Sequence, residues 1–207
     1  MLNKYFDNIY VINLDKREDR LDECNKAFAT IDSTFERFPA IDGSKLDIVV
    51  ENPAQQRWNK GAYALTLTTI KILEDAIDKD YDNILIMEDD IGFHPLFDII
   101  AEDSLKKIPK NYDLAFLGYT HTRRPIAYNG NWERMVSAFS CHAYSVNRHM
   151  MKFYLSLLQK LDAPIDFHTN KILGGRLNSF STKDKLVHQV DGYSDIEGKH
   201  YNVGFTR

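Results

Sequence analysis

The sequence predicts an α/β fold with a mainly parallel central sheet and helices on both faces. Three observations carry that prediction. Short β-branched runs alternate with helical periodicities along the whole chain. Two of the runs, NILIM (83–87) and DLAFLG (113–118), are almost wholly apolar, as strands covered on both faces are. Polar residues concentrate just after the strands, where parallel sheets bind ligands.

The elements follow in order. Asn8 to Leu14 (NIYVINL) reads as a strand, and Leu21, Cys24, Phe28 and Ile31 then recur at helical spacing. Phe35 to Pro39 reads as a short strand ending in the turn Asp42-Gly43, followed by a polar loop, Lys45 to Lys60, that carries Trp58. Ala62, Leu65, Thr69, Ile72, Leu73 and Ala76 mark one face of a helix over about 62–77, which leads into the strand Asn83 to Met87. A helix over 96–105 precedes the second buried strand, Asp113 to Gly118. A long polar loop, Tyr119 to Arg134, and a strand, Met135 to Tyr144, come next. An apolar helix over 148–161 and a helix starting near Asp166 follow, and the tail from Asn178 onward holds one or two short strands.

Length and composition set bounds on function. The 207 residues suit one domain, 1–207, large enough to bury a core, and the shares of hydrophobic (43%) and charged (27%) residues are those of an ordinary globular protein. A net charge of −4 offers no basic field for nucleic acid. No apolar run approaches the roughly 20 residues needed to cross a bilayer, and the first 14 residues alternate rather than form a signal-peptide core. Cys24 and Cys141 lie within apolar patterns and read as buried, reduced thiols, which suits a cytoplasmic protein.

The acidic triplet Glu88-Asp89-Asp90 directly follows a buried strand. In extended chain Glu88 and Asp90 point to one side and Asp89 to the other. Carboxylates held together repel unless a cation neutralises them, and a hard ion such as Mn²⁺ or Mg²⁺ suits oxygen ligands while keeping positions for phosphate oxygens. A solvated turn is the plain alternative, but turns favour Gly, Asn or Pro at such a place.

Several blocks in order resemble glycosyltransferase family 25. They are VINLDKREDR (11–20), FERFPAIDG (35–43), GAYAL (61–65), ILIMEDDIGFHP (84–95), YDLAFLG (112–118), Pro164-Ile165-Asp166, and Gln189 followed by Ser194-Asp195-Ile196. The resemblance implies a GT-A fold, a UDP-sugar donor, Mn²⁺, and inverting transfer of a hexose (galactose or glucose) to a hydroxyl of a glycan or protein, as in lipopolysaccharide biosynthesis. Where such proteins carry Ser-His after the Ala-Leu of the second helix, this chain has Thr66 and Leu67. The lost imidazole leaves room for a second reading, a non-catalytic descendant that binds nucleotide-sugar or glycan.

Individual residues then take candidate roles. Glu88 and Asp90 are expected to hold the metal, with His188 from a late strand as a further ligand; a lone strand His is more often structural. Asn13, Arg17, Asp42 and Asp89 are the expected donor-binding residues. Arg17 and Arg20 open a helix whose N-terminus favours anions, though each has Glu18 or Asp19 as a surface partner. Asp42 is equally suited to an Asx turn. Asp166 is the expected general base on the acceptor side, against an ordinary helix N-cap, with Asp195 next in line. Arg123, Arg124, Tyr128 and Trp132 make the loop 119–134 a candidate sugar platform.

Overall fold

The computed structural model describes residues 1–48, 59–174 and 178–202. Trp58 and most of its polar loop lie outside the described residues. The chain runs β1 (Asn8–Asn13), α1 (Glu18–Ala29), β2 (Glu36–Pro39), α2 (Lys60–Asp78), β3 (Asn83–Glu88), β4 (Ile91–Phe93), α3 (Phe97–Lys106) and β5 (Leu114–His121). It continues through β6 (Ile126–Ala127), β7 (Trp132–Arg134), β8 (Ala138–Asn147), α4 (Arg148–Leu158) and α5 (Ile165–Gly174). The last described strands are β9 (Ser179–Thr182), β10 (Val187–Gln189), β11 (Gly192–Ser194) and β12 (Lys199–Tyr201).

The main sheet has the order β2-β1-β3-β8-β5-β9-β7-β6. β1 pairs in parallel with β2 and β3, and β5 with β9. β8 runs against both β3 and β5, and β7 against both β9 and β6. The sheet is therefore mainly parallel in direction, with β8 and β7 reversed. Register decides where the site lies. Ile12 pairs with Glu88, so β1 and β3 end at the same level and deliver Asn13 and Asp89 side by side.

The alternation of side chains along each strand feeds two separate cores. Tyr10, Ile12, Ile84, Ile86, Leu114 and Phe116 meet α2, α4 and α5 on one face. Ile9, Val11, Leu85, Met87, Ala115 and Leu117 meet α1 and α3 on the other. Both faces are thus covered, as the apolar runs predict. Three buried threonines in α2 cost little there, because Thr66, Thr68 and Thr69 each donate to the carbonyl four residues back. No helix among the described residues is long and apolar enough to cross a membrane.

Two expectations need correction. The segment 119–134 is not a plain loop: it extends β5 and forms the β6–β7 hairpin. Trp132 is not a sugar platform either, since it is fully buried and its Nε1–H donates to the Ser104 carbonyl at 2.7 Å. Its bulk, read as a surface aromatic because charged residues flank it, closes the core beneath α3. Trp132→Ala is expected to cost about 3–5 kcal/mol, the usual range for emptying such a site. A shifted urea midpoint will show it; a shift near zero would mean the ring is dispensable to the core. The tail also holds more strand than expected, with β9 completing the main sheet and β10 pairing with β4.

Candidate active site

A cleft of 440 Å³ opens at the carboxyl ends of β1 and β3. One wall is the β1–α1 turn with Lys16 and Arg20, and the opposite wall is the stretch Ala40 to Ser44 with the start of α2. Ser194, Asp195 and Ile196 form part of its lining. The walls meet closely. A Cβ on Gly43 would lie 2.7 Å from the Gly61 nitrogen, and one on Gly61 would lie 2.9 Å from Ile196 Cα. Glycine at both places lets these three backbones stack.

The acidic triplet stands inside the cleft, and its three members do different things. Asp89 is engaged on both oxygens, by Arg20 Nη1 at 2.7 Å and by Asn13 Nδ2 at 2.8 Å. Asp90 Oδ2 accepts from Gln189 Nε2 at 3.3 Å and lies 3.9 Å from Arg20 Nη1. Its Oδ1 is buried and has no hydrogen-bond partner among the described residues. Burial pushes the Asp90 carboxyl up to about 6, with Arg20 opposing the rise. Burial also holds Glu88 well above the usual carboxylate range, and the charges of Asp90, Asp166 and Asp89 add to it. Behind the triplet, the Cys24 thiol lies 3.3 Å from the Asp89 carbonyl and is pushed up to about 12, first by burial and then by Asp89.

The expected donor residues are redistributed by these contacts. Asn13 is 1% exposed, donates also to the Arg17 carbonyl, and accepts from Arg37 Nε. It fastens the β1–α1 turn to β2 and to Asp89, and it is not among the residues that line the cleft. Arg17 pairs with Asp19 at 2.8 Å and Asp195 at 2.6 Å and does not line the cleft. Arg20, one helical turn on, takes the interior place instead. The sequence marks both arginines, but only the position of α1 decides which one turns inward. Asp42 serves both readings: it lines the cleft, accepts from Ser44 N and Oγ, and stands 3.6 Å from Lys16 Nζ. The Ser44 hydrogen bonds, helped by Lys16, hold its carboxyl below the usual range.

His188 stands outside the cleft lining. It pairs across from Gly92, where its ring fills the space a Cβ would need. The neighbouring Gln189 makes the contact with Asp90 instead. Among the described residues, no three His, Cys, Asp or Glu side chains gather closely enough to cage an ion.

Asp166 lies in the first turn of α5, inside the helix rather than at its cap. A narrow pocket shares Ile12, Leu65 and Glu88 with the cleft and ends at Asp166, Cys141 and Tyr144. The site thus has a chamber of 440 Å³ and, bordering it at Glu88, a pocket of about 10 Å³ that reaches a second carboxylate. Asp195 is a poor alternative base, since Lys16 at 3.3 Å and Arg17 at 2.6 Å occupy its two oxygens.

The family model described as Glycosyltransferase family 25 (LPS biosynthesis protein) matches residues 6–127, which include both cleft-forming strands and the acidic triplet. The chain belongs to glycosyltransferase family 25. Two curated proteins named Glycosyltransferase 25 family member support the assignment. The one from Drosophila pseudoobscura pseudoobscura is 29% identical over 127 residues, 54% of this chain and 20% of its own length. The one from Drosophila melanogaster is 30% identical over 127 residues, 54% of this chain and 21% of its own length. This family 25 chain therefore spans about a fifth of the length of those relatives. Among solved structures, a glycosyltransferase involved in the glycosylation of the major capsid of PBCV-1 shares the fold. Its TM-score is 0.51 at 12% identity, covering 92% of this chain and 96% of that one. The fold is GT-A-like.

The residues present fit the divalent ion that the family implies. Asp42, Glu88, Asp89, Asp90 and Asp195 line the cleft against Lys16, Arg20 and Lys60, an excess of two negative charges among the described lining residues. Asp90 Oδ1 is an unmatched acceptor, and both Asp90 and Glu88 carry raised pKa values that a bound cation would relieve. Two carboxylates are enough for an ion that completes its shell with phosphate oxygens and water.

Proposed function

We propose that this chain transfers a hexose, galactose or glucose, from a UDP-sugar to a hydroxyl of a glycan or protein acceptor, with Mn²⁺ or Mg²⁺ held by Asp90 and Glu88. The observation that carries the reading is the buried Oδ1 of Asp90, without a partner among the described residues, in a cleft whose described carboxylates outnumber its cations. A diphosphate would be repelled from such a cleft by itself. The ion, when bound, stabilises the charge that gathers on the departing UDP.

The chain's own residues do the rest. Arg20 neutralises Asp89 and steadies the β1–α1 turn beside the diphosphate. Asp166, which shares a small pocket with Glu88, accepts the proton of the attacking acceptor hydroxyl, which makes the transfer a single inverting displacement. The acceptor belongs to glycan assembly of the lipopolysaccharide kind, in line with the family's description. Two buried free thiols, Cys24 and Cys141, accord with a cytoplasmic location.

A binding-only role is the second reading, and the second helix favours it. The Thr66 hydroxyl is buried and bonded to the Ala62 carbonyl, and Leu67 packs on the core, so neither replaces a missing Ser-His pair. One experiment separates the readings: a panel of UDP-sugars assayed for UDP release with Mn²⁺, with Mg²⁺ and in excess chelator. One hexose donor should release UDP, the chelator should abolish release, and added Mn²⁺ should restore it. Full turnover in chelator would remove the metal from the mechanism. Tight donor binding without release would establish the binding role.

A further inference from the structure

Asp90 is held through its backbone and through one carboxylate oxygen from the same small sheet. The two-stranded sheet of β4 and β10 brackets it: Val190 N donates to the Asp90 carbonyl at 2.8 Å, and His94 N donates to the Leu186 carbonyl at 3.0 Å. The bracket is itself anchored in the main sheet. Leu186 and Val187 are fully buried, and the His142 ring sits between Gly118, which has no room for a Cβ, and the Val187 carbonyl. A rigid path therefore runs from β5 and β8 through His142 and β10 to the side chain of Gln189. That side chain ends on one oxygen of Asp90 and leaves the other without a partner among the described residues.

We infer that Gln189 is the positioning residue of Asp90: its amide holds Oδ2 and thereby aims Oδ1 at the cation-binding point of the cleft. This rests on the reading of Asp90 as a metal ligand. A carboxylate on a short side chain can rotate about its last bond and exchange its oxygens, and a neutral donor on one oxygen removes that freedom without neutralising the charge. Gln suits the task better than a cation would, since Arg20 already stands 3.9 Å away and a second positive group would compete with the ion. Neighbours of metal ligands act in this way generally, and losing one typically weakens metal affinity by about 10–100-fold.

The test uses Gln189→Met, which keeps the length and apolar volume but cannot donate. Mn²⁺ uptake in the presence of UDP is followed by the loss of the free-ion signal in electron paramagnetic resonance. Wild type, Gln189→Met, Asp90→Ala and the double variant are titrated to millimolar Mn²⁺, with melting temperature and metal-free UDP affinity measured alongside. The expected result is a loss of Mn²⁺ affinity of about 10-fold or more in Gln189→Met, with melting and metal-free UDP binding unchanged. On the Asp90→Ala background the Gln189 change should add nothing, because the carboxylate it holds is gone. Wild-type Mn²⁺ affinity in Gln189→Met, or an equal loss on both backgrounds, overturns the positioning role while leaving the metal intact. Wild type that takes up no Mn²⁺ overturns the metal-ligand reading, and the inference with it. If Gln189→Met does not fold, Gln189→Ala carries the same comparison.

Discussion

Asp90→Ala is expected to lower transfer by about 10³-fold or more while leaving the protein folded. An ion that stabilises a leaving diphosphate contributes several kcal/mol at the transition state, and about 1.4 kcal/mol corresponds to each factor of ten. The fold should not suffer, because Asp90 Oδ1 has no partner among the described residues and Oδ2 has only Gln189 and a distant Arg20. Arg20 keeps its 2.7 Å pair with Asp89. Stability should in fact rise slightly, and the sign follows from the shift. The folded-state carboxyl titrates near 6, above its ordinary 3.8, so the folded protein binds this proton more tightly than the unfolded chain does. The ionised Asp90 therefore opposes folding, fully so above about pH 6, and the effect fades toward pH 3.8. The variant should melt at or above wild type at pH 7.5 without metal, and the difference should vanish near pH 4. Normal melting with normal turnover would remove Asp90 from the site. A large drop in melting at neutral pH would make it a structural residue.

How far the sequence reveals such a site depends on the range of the interactions that build it. The strands that carry it are plain because apolar runs such as Ile84 to Met87 report burial on both faces locally. The acidic triplet is plain because it interrupts that run at the sheet's carboxyl edge. Division of labour within the triplet is not legible, since it is settled by Arg20, Asn13 and Gln189, which lie 69, 76 and 99 positions away in the chain from their partners. Asn13 and Arg17 stand where a ligand-binding residue is expected, but a side chain that ends a strand can equally tie turns together, and here both do. Trp132 misleads for a different reason. Its flanking residues are polar, yet a two-residue step of strand between them points one bulky ring into the core. The direction of the His188 side chain is not legible either, because a short strand leaves it open until its partner, Gly92, is known.

Asp166→Asn is expected to lower kcat by about 10²–10⁴-fold with little change in donor binding. Asn keeps the size and most of the hydrogen bonding of Asp but accepts no proton at neutral pH. The competing explanation was a helix cap, which Asn serves about as well as Asp. The structure weakens that explanation, because Asp166 already lies within the first turn of α5 and the Phe167 and His168 amides both reach back to the Pro164 carbonyl. Removing its charge also eases Glu88, whose raised pKa owes part of its rise to Asp166. Calorimetry with UDP and Mn²⁺ should therefore show unchanged or slightly tighter binding, while the rate at saturating donor and acceptor collapses. That split is the discriminating result: a base acts on kcat, a metal-site residue acts on donor affinity, and a structural residue acts on melting. A variant within a few-fold of wild-type kcat would leave the acceptor proton without a base in this site. Asp195 could not take over, since Lys16 and Arg17 already hold both of its oxygens. Inversion would then lose its support in this chain, and retention would become the mechanism to examine.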